Sequence, residues 1–371
     1  MANSFITLQE IARTALPRLM ENLVFPNLVY KDFSRDFRTL GDTIRVRKPV
    51  ALQANDFDAV NGVNYQDLCE DSVSVTLDRL ASVDAKASAI ETATNIDDLN
   101  RVFIEPAAAA LAEKINSDGL ALYKEVPFCI GTPGSTPNAL SNLAAVRKQL
   151  NIQKVPTTGR VAIWDPEADA AFTQIPAIVN AEKSGSNRAL REGSIGRVFG
   201  LDNYMSQGVK TISGGITAAT GTKLNGAVGR GSTLVSIDGT TLTGKLLEGD
   251  ILRIDGKNYI VAEDSATAAG NTIAGIKLTS PLPSLEDNTD VSVFSGGTQN
   301  LAFHPMAFAF VTRPLINPDG AGVEAYVTSY NGISLRVTKG YNQQYKQSTY
   351  SMDVLYGYKC IYPELALRVL G

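Results

Sequence analysis

A single histidine limits the chemistry that this sequence can carry. His304 is the one imidazole in 371 residues, and Pro305 follows it in an apolar segment. A serine triad would need His304 as its base, and no G-x-S-x-G motif accompanies it, so a packed histidine is the better interpretation. Most zinc sites also use more than one histidine or cysteine. We therefore predict no catalytic residue and no metal ligand.

Residues 239–245 have the glycine and lysine spacing of a phosphate-binding loop. Leu246 stands where a hydroxyl residue would hold Mg²⁺, and strand patterns follow where a helix is required. Acidic pairs such as Asp97 and Asp98 fall at a predicted helix start, where the helix dipole explains them. No acidic cluster has calcium-loop spacing. No cofactor is predicted, and an enzyme is the least favoured class.

Composition excludes several other classes. With 34 Lys+Arg against 38 Asp+Glu, the formal charge of -4 predicts at most weak contact with nucleic acid. Cys69, Cys129 and Cys360 are far apart, which favours reduced thiols. No secretory signal and no apolar run of about 18 residues occurs, so we expect a soluble, intracellular protein without membrane contact.

One helical stretch organises the chain. Residues 95–125 carry apolar side chains at helical spacing, and five alanines follow Pro106. A fully helical stretch of this length would span ~45 Å. Pro106 lacks an amide proton, so it either kinks the helix or begins a second one. Such a rod is a framework element.

Charge is sorted along the segment before the rod. Residues 31–48 hold six basic and three acidic side chains, whereas residues 49–71 hold five acidic and no basic ones. Apolar and polar side chains alternate over residues 44–47 and 73–78, which predicts two half-buried strands. Asn61-Gly62 between them is a hairpin turn signal. The sum is a long hairpin with a basic and an acidic arm. Because an isolated hairpin is marginal in water, we expect it to lie on another subunit; a mobile, solvated hairpin is the alternative.

The remaining chain alternates helices and strands and then becomes β-rich. We predict a helical arm over residues 4–24 that is broken at Pro17, a helix from an Asn138 cap to Leu150, and a helix over residues 167–182. Residues 209–298 are rich in Gly, Thr and Ser and predict an inserted β-barrel. Its strands are expected at Thr233 to Ile237, Ile251 to Ile254, Tyr259 to Ala262, Ile276 to Thr279 and Val291 to Phe294.

This order of parts resembles the major capsid protein of tailed bacteriophages, the Hong Kong ninety-seven type of fold. The comparison depends on three stretches: the helical residues 95–125, here named the spine, GDILRIDGKNYIVAED over residues 249–264, and LAFHPMAFAFVTRPL over residues 301–315. More narrowly, the chain resembles podovirus coat proteins with an inserted β-domain. The expected fold class is α+β, with a long spine helix, an extended β-hairpin loop and an inserted small β-barrel.

The resemblance implies a division into five parts. They are an N-terminal helical arm (1–30), an extended hairpin loop (31–80), a peripheral domain with the spine helix (81–135 and 330–371), an axial α/β domain (136–208 and 299–329) and the inserted β-barrel (209–298).

The resemblance also implies a function. Copies of the chain would assemble in the host cytoplasm into hexamers and pentamers of an icosahedral virion capsid. The partners would be other copies, a scaffolding protein, a portal and packaged double-stranded DNA, held weakly and without sequence specificity. A surface or tail structural module is the alternative.

The sorted charges suit contact between subunits. In the family the hairpin reaches over a neighbour, so we expect Arg45, Arg47 and Lys48 to face acidic residues of an adjacent copy, with Asp56 and Asp58 in the same contact. Each exposed ion pair is worth less than about 1 kcal/mol, but symmetry repeats it in every copy.

Overall fold

The computed structural model describes residues 8–31, 43–47, 72–88, 104–180, 188–317, 323–330 and 332–371. The chain divides into two compact units. The first unit comprises Met1–Leu16, Lys31–Ile104 and Ala309–Ile361, and the second unit comprises Pro17–Tyr30, Glu105–Phe308 and Tyr362–Gly371.

The helices of the described residues are short, and most belong to the second unit. They are α1 (Leu8–Asn22), α2 (Phe25–Leu28), α3 (Glu105–Leu120), α4 (Leu140–Ile152), α5 (Pro166–Thr173), α6 (Pro176–Val179) and α7 (Arg188–Glu192). Single 3-10 turns lie at Ala121–Glu125, Pro305–Ala307 and Pro363–Leu365.

Several predicted helix boundaries are wrong, and proline explains most of the differences. Pro17 lies inside α1, which continues through it. The described part of the spine contains the 16-residue α-helix Glu105–Leu120, whose second residue is Pro106, and Ile104 directly before it has π-helical geometry. Residues 95–103 lie outside the described residues. Pro176 starts the separate helix α6.

Helix caps follow the local sequence in one case and depart from it in another. Asp165 caps α5, because its side chain accepts a hydrogen bond from the Glu167 amide at 3.2 Å, as the Asp-Pro sequence predicted. In contrast, α4 has Ala139 at its N-cap and no side-chain cap, so the predicted Asn138 cap is wrong.

The first unit is built on a five-stranded sheet in which the long strand β21 (Gln347–Cys360) is central. Strands β20 (Ile333–Asn342) and β3 (Arg79–Ser88) both pair antiparallel with β21, and β19 (Glu324–Tyr330) pairs with β20. Strand β18 (Phe308–Arg313) completes the sheet. Its core contains the buried side chains Phe310, Val311, Leu335, Val337, Met352, Val354, Tyr356 and Tyr358.

The second unit contains a seven-stranded mixed sheet. Its strands are β4 (Cys129–Gly131), β5 (Arg160–Trp164), β6 (Arg197–Val198), β7 (Leu201–Met205), β8 (Thr211–Ile212), β17 (Gly297–Phe303) and β22 (Ala366–Leu370). The pairs β22 with β4 and β5 with β7 are parallel, whereas β17 is antiparallel to β5, β8 and β22. Helices α4, α5 and α6 bury Leu143, Val146, Phe172 and Ile178 against this sheet around Trp164.

Residues 81–135 and 330–371, the expected peripheral domain, contribute elements to both units, and the five-part division stays a prediction. Strands β3, β20 and β21 belong to the first unit, whereas α3, β4 and β22 belong to the second. The parallel pairing of β4 with β22 ties the chain after the spine to the C-terminal strand, a long-range contact that local sequence patterns do not encode.

Inside the second unit, a ring of six strands encloses its own core. They are β10 (Lys223–Leu224), β11 (Leu234–Asp238), β13 (Ile251–Ile254), β14 (Lys257–Ile260), β15 (Thr272–Lys277) and β16 (Val291–Phe294). Strand β11 pairs with β10 and β15, and β13 pairs with β14 and β16. Single antiparallel bridges, Val261 to Leu278 and Lys223 to Asp290, join β14 to β15 and β16 to β10.

These contacts close the ring into the small β-barrel that the sequence predicted. A separate antiparallel pair, β9 (Ile216–Thr220) with β12 (Thr241–Gly244), contributes Leu242 to the barrel core.

Candidate functional site

The predicted contact residues fall on a two-stranded hairpin stem. Strand β1 (Thr43–Arg47) pairs antiparallel with β2 (Ser72–Thr76), which confirms the pairing expected for the two ends of the charged segment. Arg45 is exposed and lies opposite Ser74. Arg47 is the last residue of the same strand, two positions after Arg45. The Arg47 side chain, Lys48, Asp56 and Asp58 lie outside the described residues.

The base of this stem is anchored in the first unit. Val75 and Leu77 are fully buried. A Cβ atom on Gly357 of β21 would lie 2.1 Å from the Thr76 carbonyl oxygen, so the two backbones can approach only because Gly357 has no side chain. The stem is therefore held at β2, while the β1 residues Thr43 and Arg45 face solvent.

His304 and the segment 239–245, which could have carried chemistry, lie beside or within ordinary secondary structure. His304 precedes a 3-10 turn, and its Nδ1 accepts from the Met306 amide. Burial, and then the nearby Arg160 guanidinium, lower the pKa of His304. Within the segment 239–245, Thr241–Gly244 form strand β12.

Within the described part of the chain, no group of three or more His, Cys, Asp or Glu side chains could hold a metal ion. In the same residues, no helix is both long and apolar enough to span a membrane.

A buried arginine joins the barrel to the seven-stranded sheet. Arg368 of β22 is 1% exposed. Its Nε donates to the Val126 carbonyl oxygen at 2.6 Å, and its Nη1 donates to the Gly249 carbonyl oxygen at 2.7 Å. Its guanidinium also lies 5.3 Å from the Tyr123 ring centroid. One side chain thus binds the segment that follows α3 and the barrel segment that precedes β13.

The electrostatics of this junction follow from burial. Desolvation lowers the pKa of Arg368 to about 10 and raises the pKa of Tyr123 to about 12. Asp250, next to Gly249, accepts from the Leu247 amide at 2.9 Å and from the Ser295 hydroxyl at 2.8 Å. Burial raises the pKa of Asp250, and these hydrogen bonds and the Arg368 charge oppose that shift.

Two further contacts hold the barrel at the same place. Lys124 forms an ion pair with Glu248 at 2.8 Å. The Asn258 amide of β14 donates to the Pro127 carbonyl oxygen at 3.0 Å. We name the contacts of Arg368, Lys124 and Asn258 the barrel junction. Sequence reasoning missed it, although Arg368 is a lone charge in the otherwise apolar strand ALRVL, which is a usable signal for a buried ionic contact.

The fold is similar to that of solved phage structures. No family model matches the chain, and no curated protein matches it. A solved structure from Mycobacterium phage Che8 aligns with 94% of this chain and 90% of its own, at 17% sequence identity and a TM-score of 0.56. The chain has the fold of this phage protein. The capsid structure of cyanophage P-SCSP1u (12% identity, TM-score 0.49, 90% and 84% covered) and Gordonia phage Cozz (10%, 0.48, 93% and 85%) are also similar.

The predicted α+β fold of the phage capsid type is confirmed. Within this phage capsid fold, the narrower assignment to podovirus coat proteins stays a prediction, as do the contact roles of Arg45, Arg47, Lys48, Asp56 and Asp58.

Proposed function

We propose that this chain is the major capsid protein of a tailed phage, and that its copies assemble as hexamers and pentamers into an icosahedral shell around double-stranded DNA. The observation that carries the proposal is the similarity to the phage Che8 structure, which extends over 94% of the chain rather than over one domain. The role is structural rather than enzymatic.

The hairpin stem supports this proposal on physical grounds. A two-stranded hairpin is marginally stable on its own in water. Here the stem is anchored at β2 through Val75, while Arg45 on β1 faces solvent. A neighbouring copy would supply the surface that β1 lacks, and symmetry would repeat that contact in every subunit.

The proposed partners are other copies of the chain, a scaffolding protein, a portal and the packaged DNA. With a formal charge of -4, the chain offers DNA only weak, non-specific contact. Assembly takes place in the host cytoplasm, and the mature location is the virion capsid.

Electron microscopy of the purified protein over a concentration series tests the proposal. We expect closed shells or ring-shaped capsomers whose number rises with concentration. Isolated monomers at every concentration would contradict the shell function.

A charge-reversal variant tests the role of the hairpin. Arg45→Glu with Arg47→Glu should lower the yield of particles, because it places like charges opposite the acidic residues expected on the neighbour. The matched control reverses two exposed charges of the barrel, Arg230→Glu with Lys257→Glu, and changes the net charge equally. Equal particle yields from both variants would count against the hairpin contact.

A further inference from the structure

An exposed phenylalanine occupies a strained turn at the edge of the seven-stranded sheet. Strands β6 and β7 pair Val198 with Leu201, so Phe199 and Gly200 form a two-residue hairpin turn. Both turn residues have positive φ angles, 51° for Phe199 and 81° for Gly200. Such turns favour Asn-Gly, because a bulky L-residue is strained in the left-handed region.

Phe199 adopts this strained conformation and still leaves much of its surface exposed. Its side chain is 40% exposed. Strained residues that do not serve packing are enriched at functional sites, and a large exposed aromatic ring is typical of a binding anchor.

Phe199 belongs to a shallow apolar depression with a basic rim. The other lining residues are on α4, most of them in its C-terminal half: Ala144, Arg147, Lys148, Asn151 and Ile152. We name this set the Phe199 surface. Ile152 is 62% exposed, and both Arg147 and Lys148 face solvent. Among the residues that the structure describes, no acidic side chain lines the depression.

A complementary depression lies at the other end of α4. Its lining includes Asn138, which precedes α4, the α5 residues Glu167 and Ala170, and Ile175 and Pro176 at the start of α6. We name this set the α5 surface. Its charged lining residue is Glu167, which is exposed and contacts Thr136 at 3.3 Å.

The two surfaces match in character and are separated in space. Each has apolar side chains beside charge, basic on the Phe199 surface and acidic on the α5 surface. Helix α4 has 13 residues, so its two ends lie ~20 Å apart. The described lining residues of the two surfaces do not overlap. One copy can therefore present both surfaces at once, to two different neighbours.

We propose that the Phe199 surface of one copy docks on the α5 surface of a second copy of this chain. Contact between two different patches is heterologous, and such contacts close into rings when the rotation between copies allows it. The inference rests on the proposed capsid function and specifies which surfaces join neighbouring subunits within a capsomer.

Charge reversal on each surface tests the pairing. Arg147→Glu with Lys148→Glu turns the rim of the Phe199 surface acidic, and Glu167→Lys turns the α5 surface basic. Each variant alone juxtaposes like charges and should assemble about tenfold less than the parent chain. Far-ultraviolet circular dichroism and the fluorescence of Trp164, which is buried, verify that the variants fold.

Mixing the two variants gives the sharpest result. In an equimolar mixture, each altered surface meets an oppositely altered one, so alternating rings with an even number of copies should recover, whereas five-membered rings should not. The triple variant that carries all three changes in one chain should form both the even-numbered and the five-membered rings. Wild-type-like assembly of either reversed variant, or no recovery from mixtures of folded variants, would overturn the inference.

Phe199→Asn tests the strained anchor independently. Asparagine tolerates the left-handed conformation, so the thermal midpoint of the unassembled chain should rise while assembly falls about tenfold. The control Tyr341→Asn removes an aromatic ring that is 51% exposed on β20, and it should leave assembly unchanged. Undiminished assembly of Phe199→Asn, or a lower thermal midpoint, would contradict the role of this residue.

The outcomes also separate this inference from the capsid function. A parent chain that never assembles overturns the proposed function. A parent chain that assembles together with reversed variants that assemble equally well overturns only the pairing of these two surfaces. In that case Glu167 serves only the first turn of its own helix, and its reversal lowers the stability of the isolated chain alone.

Discussion

Replacement of Arg368 by methionine should destabilise the second unit strongly. Methionine keeps most of the length and apolar volume of the side chain but removes both hydrogen bonds. The carbonyl oxygens of Val126 and Gly249 would lose donors at 2.6 Å and 2.7 Å. Each buried polar group left unsatisfied costs about 1–3 kcal/mol.

The same substitution removes the positive charge beside Asp250, which is 7% exposed. The two carbonyl oxygens left without a donor should together cost about 2–6 kcal/mol. We expect the free energy of unfolding to fall by this amount. The loss is a large fraction of the about 5–15 kcal/mol that stabilises a typical native protein.

Guanidinium unfolding of the unassembled chain measures this effect. Trp164 is the sole tryptophan, and it lies in the second unit with 1% exposure, so its fluorescence reports on the sheet that contains Arg368. The matched control is Lys124→Met, which removes a 2.8 Å ion pair at the same junction. That pair is largely exposed, so its loss should cost less than about 1 kcal/mol.

A double-mutant cycle with Asp250→Asn separates charge from hydrogen bonding. Because neither charge remains in the double variant, its destabilisation should be smaller than the sum of the two single effects. The reasoning is refuted if Arg368→Met costs no more than Lys124→Met, or if the two single effects simply add.

Three further predictions concern pH, backbone contact and a buried amide. Burial raises the pKa of Asp250, so the folded state binds this proton more tightly than the unfolded state does. The bound proton therefore stabilises the folded state fully below the unfolded pKa of Asp250. This contribution is lost as the pH rises through the folded pKa. The parent chain should therefore gain stability relative to Asp250→Asn on acidification, as measured by denaturant unfolding at several pH values. Gly357→Ala should destabilise the hairpin stem by more than about 1 kcal/mol, because its Cβ would lie 2.1 Å from the Thr76 carbonyl oxygen; amide hydrogen exchange in β2 reports the loss. Asn116→Ala should lower the free energy of unfolding by about 2–4 kcal/mol, as measured by chemical denaturation. The Asn116 side chain accepts hydrogen bonds from the Val24 and Phe25 amides and donates one to the Asn22 carbonyl oxygen.

Controls make these predictions specific. Gly229→Ala adds a methyl group where no atom lies within 4 Å, so it should leave hydrogen exchange in β2 unchanged. Asn116→Asp keeps the acceptor oxygen and loses the donor to the Asn22 carbonyl, so it should cost less than Asn116→Ala. An Asp250→Asn variant with the same pH profile as the parent chain would contradict the linkage argument.

The sequence predicted the parts of the fold that local patterns encode. Asp255-Gly256 predicted the tight turn between β13 and β14, and both residues have the positive φ angles, 49° and 71°, that such a turn requires. Asp165 predicted the start of α5. The alternating residues around Arg45 predicted the pairing of β1 with β2.

Contacts between distant residues were not predictable in the same way. Arg368 meets Val126 and Gly249, which are 242 and 119 residues away, and no local spacing encodes such a junction. Pro17 was predicted to break a helix that continues through it, since local propensity is a weak prior against tertiary packing. Phe199 carried no periodic signal, because its interest lies in a backbone angle that only the structure shows.

The central claim is that identical copies of this chain complete one another. Sedimentation velocity of the purified parent chain over a wide concentration range measures this most directly. We expect the monomer peak to give way, as concentration rises, to discrete species with the mass of capsomers and then of closed shells. A single monomeric species across the whole range would contradict the claim.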